Sequence, residues 1–166
     1  MDVARLDAMS DWEFEMAVAP WFEGAPRFLA RLTEARPFGD EETLFGRAEA
    51  IALAMPMDEQ IELIDAHPRL GAPPATVSAS SHREQGYDRD TTEAIAELAH
   101  LNEVYEVTHG FRFCVHVAGR SRASLVPVLA EAIHADRDAE IRRALIDIVA
   151  IARDRARRHE IESGAS

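Results

Sequence analysis

Apolar residues recur every three or four positions along nearly the whole chain, the period of an α-helix with one buried face. Only Phe111–Val117 is rich enough in aromatic and β-branched residues to suggest a strand, and a single strand has no partner to pair with. The pattern therefore predicts an all-α fold in which 111–117 is an extended segment lying against helices. A second break, residues 67–80 (HPRLGAPPATVSAS), carries three Pro and one Gly and reads as a loop.

Punctuation residues divide the periodic stretches. Ser10 with Glu13 three residues on is a capping box for a helix over Asp11–Val18. Pro26 suits the first turn of a helix carrying Phe28, Leu29 and Leu32. Asp40 caps the next, with Leu44, Ala48, Ile51 and Ala52 on one face, and Pro56 ends it. A short helix over Asp58–Ala66 turns Ile61 and Ile64 inward. A long one runs from about Asp90 to His109 with the stripe Ile95, Leu98, Ala99, Asn102 and Tyr105, and Gly110 stops it. Ser121 or Arg122 opens a helix carrying Leu125, Val128, Leu129 and Ile133. Asp136 caps the last, with Ile141, Leu145, Ile148, Val149 and Ala152 in line. About eight helices in a single domain over 1–166 are expected, with no internal repeat.

Composition removes several chemistries. All 18 basic residues are Arg; without Lys there is no internal Schiff base and no P-loop lysine. A single Cys, Cys114, excludes an internal disulfide framework and Cys-based zinc sites. The net charge of −12 argues against a nucleic-acid partner. No 18-residue apolar run exists to span a membrane, and the acidic N-terminus MDVARLDAMSD lacks the apolar core of a signal peptide, so a cytoplasmic location is expected. Residues 1–66 hold 15 acids and 5 Arg, whereas 67–166 hold 15 acids and 13 Arg. An anionic substrate would thus find its site in the second part, although most of those Arg are expected on solvated helix faces.

Three places can carry chemistry. His67-Pro68 follows a helix end; a loop His held by a stiff backbone is a general acid–base candidate, and equally a helix-end His interacting with the macrodipole. Ser81-His82-Arg83-Glu84-Gln85 is a capping box, and also three polar side chains beside a Pro-rich loop that can bind a ligand rich in NH and C=O groups. Asn102 falls on an apolar stripe, where a polar side chain needs a hydrogen-bond partner; a tether to the 111–117 segment would supply one. The seven His show no HExxH or other recognised metal spacing, and no metal site is expected.

HPRLG at 67–71, SHREQ at 81–85 and LNEVYEVTHGFRF at 101–113 occur in this order, with APWFEGAPRF and ARPF upstream and IVAIARDR near the end. In combination they resemble the 2-oxo-4-hydroxy-4-carboxy-5-ureidoimidazoline (OHCU) decarboxylases, over about residues 10–158. The resemblance implies an all-helical, cofactor-free enzyme, often dimeric, that converts a small anionic substrate to S-allantoin in urate breakdown. By the same resemblance His67 is the catalytic His, acting with Glu84, and Pro68 touches substrate. Ser81, Gln85 and the segment Phe113, Cys114, Val115, His116 and Val117 would bind it, the segment through backbone groups. Arg155 would hold an anionic group, alone among the Arg of the second part.

The chain departs from that family's pattern beside these motifs. Arg69 and Gly71 stand in HPRLG where HPDLA is usual, Arg112 stands where Pro is usual, His116 lies where a Cys is usual nearby, and Asp154 precedes Arg155 in place of Leu. Two alternatives follow: a decarboxylase or tautomerase for a related ureido or imidazolone acid, and a non-enzymatic helical ligand-binding module.

Overall fold

A computed structural model describes residues 1–71 and 92–164. Their regular structure is helical: α1 (Val3–Asp7), α2 (Asp11–Val18), α3 (Pro26–Glu34), α4 (Glu41–Ala54), α5 (Met57–Ala66), α6 (Thr92–His109), α7 (Arg122–Ala132) and α8 (Arg137–Gly164), with a 3-10 turn at Ala19–Trp21. Among the described residues there is no strand, and no helix long and apolar enough to cross a membrane. The chain divides into two compact units, Met1–Ala66 with Leu145–Ser166, and His67–Ala144.

In the first unit the caps are where the sequence puts them. Ser10 Oγ accepts from the Glu13 N–H while the Glu13 carboxylate accepts from the Ser10 N–H, closing the capping box of α2. Asp40 accepts from the Thr43 N–H to start α4, and Pro26 occupies the first turn of α3. Phe14, Val18, Phe22, Phe28, Leu32, Leu44, Phe45, Leu63 and Ile64 are buried, with the Phe22 and Phe28 rings 4.7 Å apart. Leu63 and Ile64 form the inward face of α5; Ile61 lies only at its margin. Arg27 and Arg31 of α3 pair with Asp58, Glu62 and Glu59 of α5, but these ion pairs are exposed and contribute little stability.

In the second unit α6 packs on α7. The buried positions of α6 are Ala94, Leu98, Asn102, Tyr105 and His109, whereas Ala99 is exposed and Ile95 half-buried. Leu98, Asn102 and Tyr105 are thus inward as hydrophobicity predicts, and the stripe differs at its edges, where Ala94 and His109 are buried in place of Ile95 and Ala99. His109 has partners that account for its burial. Its ring lies 4.4 Å from that of Tyr105 and its Nε2 is 2.9 Å from the Ala132 carbonyl, so a polar residue closes the stripe. Gly110, with φ +79°, ends α6. Residues 112–117 then run without helix; Phe111, Phe113, Cys114, Val115 and Val117 are buried along it. Tyr105 meets Phe111 and Phe113 edge-on at 5.6 and 5.1 Å. Ser121 caps α7, and Asp136 caps α8 by accepting from the Asp138 and Ala139 N–H groups.

Candidate active site

His67 is the first residue beyond α5, and Pro68 dictates why the helix stops there. The Pro ring disfavours helical backbone at the preceding residue, and Pro has no N–H to continue the ladder. His67 is nevertheless 2% exposed. The imidazole is thus enclosed at the helix end.

Three side chains hold the turn that carries it. Asn102 of α6 donates both amide hydrogens, one to Leu98 O in its own helix and one to Leu70 O, each at 2.8 Å. The expected tether from Asn102 to the 111–117 segment is therefore corrected: the buried amide binds the His67–Leu70 turn instead. Arg112 Nη1 donates to His67 O at 3.2 Å, which brings the His67 peptide beside the start of the extended segment. Arg69 makes a two-point ion pair with Glu106 of α6, exposed enough that its value is mainly orientational.

These contacts account for several departures from the family pattern. Arg69 is matched to Glu106, and Arg112 to the His67 carbonyl. Gly71 adopts φ +79°, a backbone region that L side chains rarely occupy. A Cβ there would meet Leu98 Cβ at 3.6 Å, an ordinary contact, so the obstacle to Ala is the backbone and not space. Gly71→Ala is expected to cost about 1–2 kcal/mol of stability, read as a lower urea midpoint with unchanged slope.

The extended segment is held by groups that sequence reasoning left on the surface. Arg143 of α8 donates through Nη1 to Cys114 O at 2.9 Å, and its guanidinium lies 5.0 Å from the centre of the Phe113 ring. Glu140, 5% exposed, accepts from Arg143 Nε and Nη2 and from the Tyr105 hydroxyl at 2.9 Å. Burial, and next the Glu140 charge beside it, push the Tyr105 hydroxyl far above its ordinary pKa, so it stays a donor. Arg120 donates through Nη2 to His116 O and through Nε to Val117 O, at 2.6 and 3.1 Å. Arg122 is fully buried. The expectation that the Arg of the second part, apart from Arg155, lie on solvated faces is thus corrected for Arg112, Arg122 and Arg143, whereas Arg120 is exposed as expected and still binds two backbone carbonyls. One signal was readable: Glu140 falls on the same helical face as Ala144 and Ile148, where a carboxylate must find partners.

Arg155 belongs to the first unit and is 4% exposed. Its Nη2 donates to Glu23 Oε1 at 2.8 Å and its Nη1 to the Pro20 and Trp21 carbonyls, each at 3.1 Å. Ser81, Glu84 and Gln85 lie outside the described residues. Among the described residues no group of three or more His, Cys, Asp or Glu is arranged to hold a metal ion.

A family model described as OHCU decarboxylase matches residues 7–157. The chain is 33% identical over 137 residues to the uric acid degradation bifunctional protein PucL of Bacillus subtilis, covering 81% of this chain and 28% of that one. It is 28% identical over 154 residues to the 2-oxo-4-hydroxy-4-carboxy-5-ureidoimidazoline decarboxylase of Mus musculus, covering 89% and 86% of the two chains. A crystal structure of OHCU decarboxylase in the presence of (S)-allantoin shares the fold, with a TM-score of 0.68 at 22% identity over 80% of this chain and 89% of that one. An all-helical domain with an enclosed, Pro-fixed His is thus the frame, and the chain belongs to the OHCU decarboxylase family. It spans under a third of the length of the Bacillus relative, which carries more than this domain.

Proposed function

We propose that the protein decarboxylates OHCU to S-allantoin without a cofactor. The observation that carries the reading is His67: an imidazole enclosed at a Pro-terminated helix end, its turn tied to α6 and to the extended segment, in a chain of this family.

The substrate carries a carboxylate and a hydroxyl on one ring carbon, next to a ring C=N. As CO2 leaves, the electron pair of the broken C–C bond moves toward that C=N, whose nitrogen takes a proton, and an enol forms. The enol then loses its hydroxyl proton and gains one at the ureido-bearing carbon. The substrate is its own electron sink, so a chain without Lys meets the chemical demand. What remains for the protein is to orient the carboxylate, move protons and select one face of that carbon.

His67 does the acid–base work, with Glu84 orienting or charging it; a carboxylate beside an imidazole favours the imidazolium. Ser81, Gln85 and the backbone of Phe113, Cys114, Val115, His116 and Val117 pair with ureido and ring amide groups, and Pro68 shapes the pocket beside His67. Arg155 is the candidate ligand for an anionic group, a buried guanidinium whose internal partner is Glu23.

The test is stereochemical. OHCU generated fresh and mixed with the protein should give S-allantoin, seen by circular dichroism, faster than in buffer. A product that appears racemic and at the buffer rate would contradict the reading.

A further inference from the structure

Arg143 and Arg120 each take hold of the same kind of group, a carbonyl of the segment that runs through 112–117. Arg143 binds Cys114 O and Arg120 binds His116 O, two residues further on. Each carbonyl belongs to a trans peptide whose N–H points the opposite way. The two N–H groups so directed are those of Val115 and Val117. Both residues are buried, at 9% and 5% exposure, and among the described residues neither N–H donates a hydrogen bond. Backbone donors within buried residues are normally paired, so two without an acceptor, on either side of His116, call for one from elsewhere.

We propose that Arg143 and Arg120 are positioning residues that present the Val115 and Val117 N–H groups as a paired donor edge for two carbonyl oxygens of one ureido-imidazolone ligand. The inference rests on the decarboxylase reading and deepens it. The spacing selects the ligand class. Along non-helical chain, donors two residues apart are separated by about 6–7 Å. That is far wider than the two oxygens of a single carboxylate. It suits two separate carbonyls on one molecule, such as the ring and ureido carbonyls. The guanidinium on each carbonyl also polarises the peptide and strengthens the N–H on its other side. Arg143 is in turn fixed by Glu140, and Glu140 by the Tyr105 hydroxyl, so the edge is set by a chain of side chains from α6 and α8.

The experiment uses the full chain labelled with 15N and (S)-allantoin as the probe. On addition of (S)-allantoin the Val115 and Val117 amide signals should shift together. Arg143→Met should weaken (S)-allantoin binding and raise KM for OHCU at least tenfold, with kcat changed far less and helical circular dichroism retained. Arg143→Lys, whose ammonium can still donate to Cys114 O, should restore part of the loss. If Arg143→Met fails to fold, Arg120→Met, which leaves the Arg143–Glu140 pair in place, should raise KM and reduce the shift at Val117. A wild-type protein that turns over OHCU while both amides stay unmoved overturns the inference alone, as does a folded Arg143→Met with unchanged KM. A wild-type protein that neither turns over OHCU nor binds (S)-allantoin overturns the decarboxylase reading and the inference with it.

Discussion

Replacing His67 by Asn is expected to lower the rate of OHCU decarboxylation by about 10²–10⁴-fold, the range that positioned acid–base catalysis supplies. Asn is close to His in size and can hydrogen-bond, so the enclosed site keeps its packing, but it cannot accept and return a proton near neutral pH. Binding should persist, because the proposed reading assigns it to the backbone of 113–117 and to Arg155 and not to His67. The expected signature is therefore a fall in kcat with KM within a few-fold of wild type. Unchanged helical circular dichroism would separate this from a structural effect. If instead the variant unfolded with kcat per folded molecule preserved, His67 would be a core residue and no more.

Asn102→Leu is the second large effect expected, and it acts on the same His from a distance. Leu has nearly the shape of Asn and belongs on an apolar stripe, so the helix itself should gain nothing unfavourable. The loss falls on Leu70 O, which the Asn102 amide now serves. Leu98 O keeps its place in the α6 ladder. A buried carbonyl left unsatisfied costs about 1–3 kcal/mol. The turn from His67 to Leu70 would also lose its buried tie to α6, with the part-buried Arg112 on His67 O and the exposed Arg69–Glu106 pair left to hold it. Displacement of a catalytic group by about 1 Å can cost on the order of 10²-fold in rate. Asn102→Leu should thus lower both the urea midpoint and kcat, whereas Gly71→Ala should lower the midpoint chiefly. Chemical denaturation and steady-state kinetics on the two variants distinguish the roles.

The helices were legible in the sequence because their signals are local. Ser10 with Glu13, Pro26, Asp40, Gly110 and Asp136 each act within one turn of chain, and each element begins or ends as they dictate. The inward faces were less legible. On α6 the stripe includes Asn102 and His109, whose burial depends on carbonyls 32 and 23 residues away along the chain. Hydrophobic periodicity gives such residues no weight until their partners are known.

His67 was legible as a candidate because Pro68 marks the helix end and the motif order marks the family. Its supports were not. Arg112, Arg120 and Arg143 look in sequence like the other Arg of an acidic, Arg-only chain. Only the fold distinguishes a guanidinium that meets a backbone carbonyl from one that meets water. Glu140 was the one readable trace of this network, an acid in line with buried residues of α8.

The most direct measurement follows the loss of OHCU with wild-type protein and His67→Asn side by side, at equal concentration and against buffer. The account predicts clear acceleration by the wild type and a rate for folded His67→Asn lower by about two to four orders of magnitude. A wild type no faster than buffer, or a His67→Asn variant as fast as wild type, would contradict it.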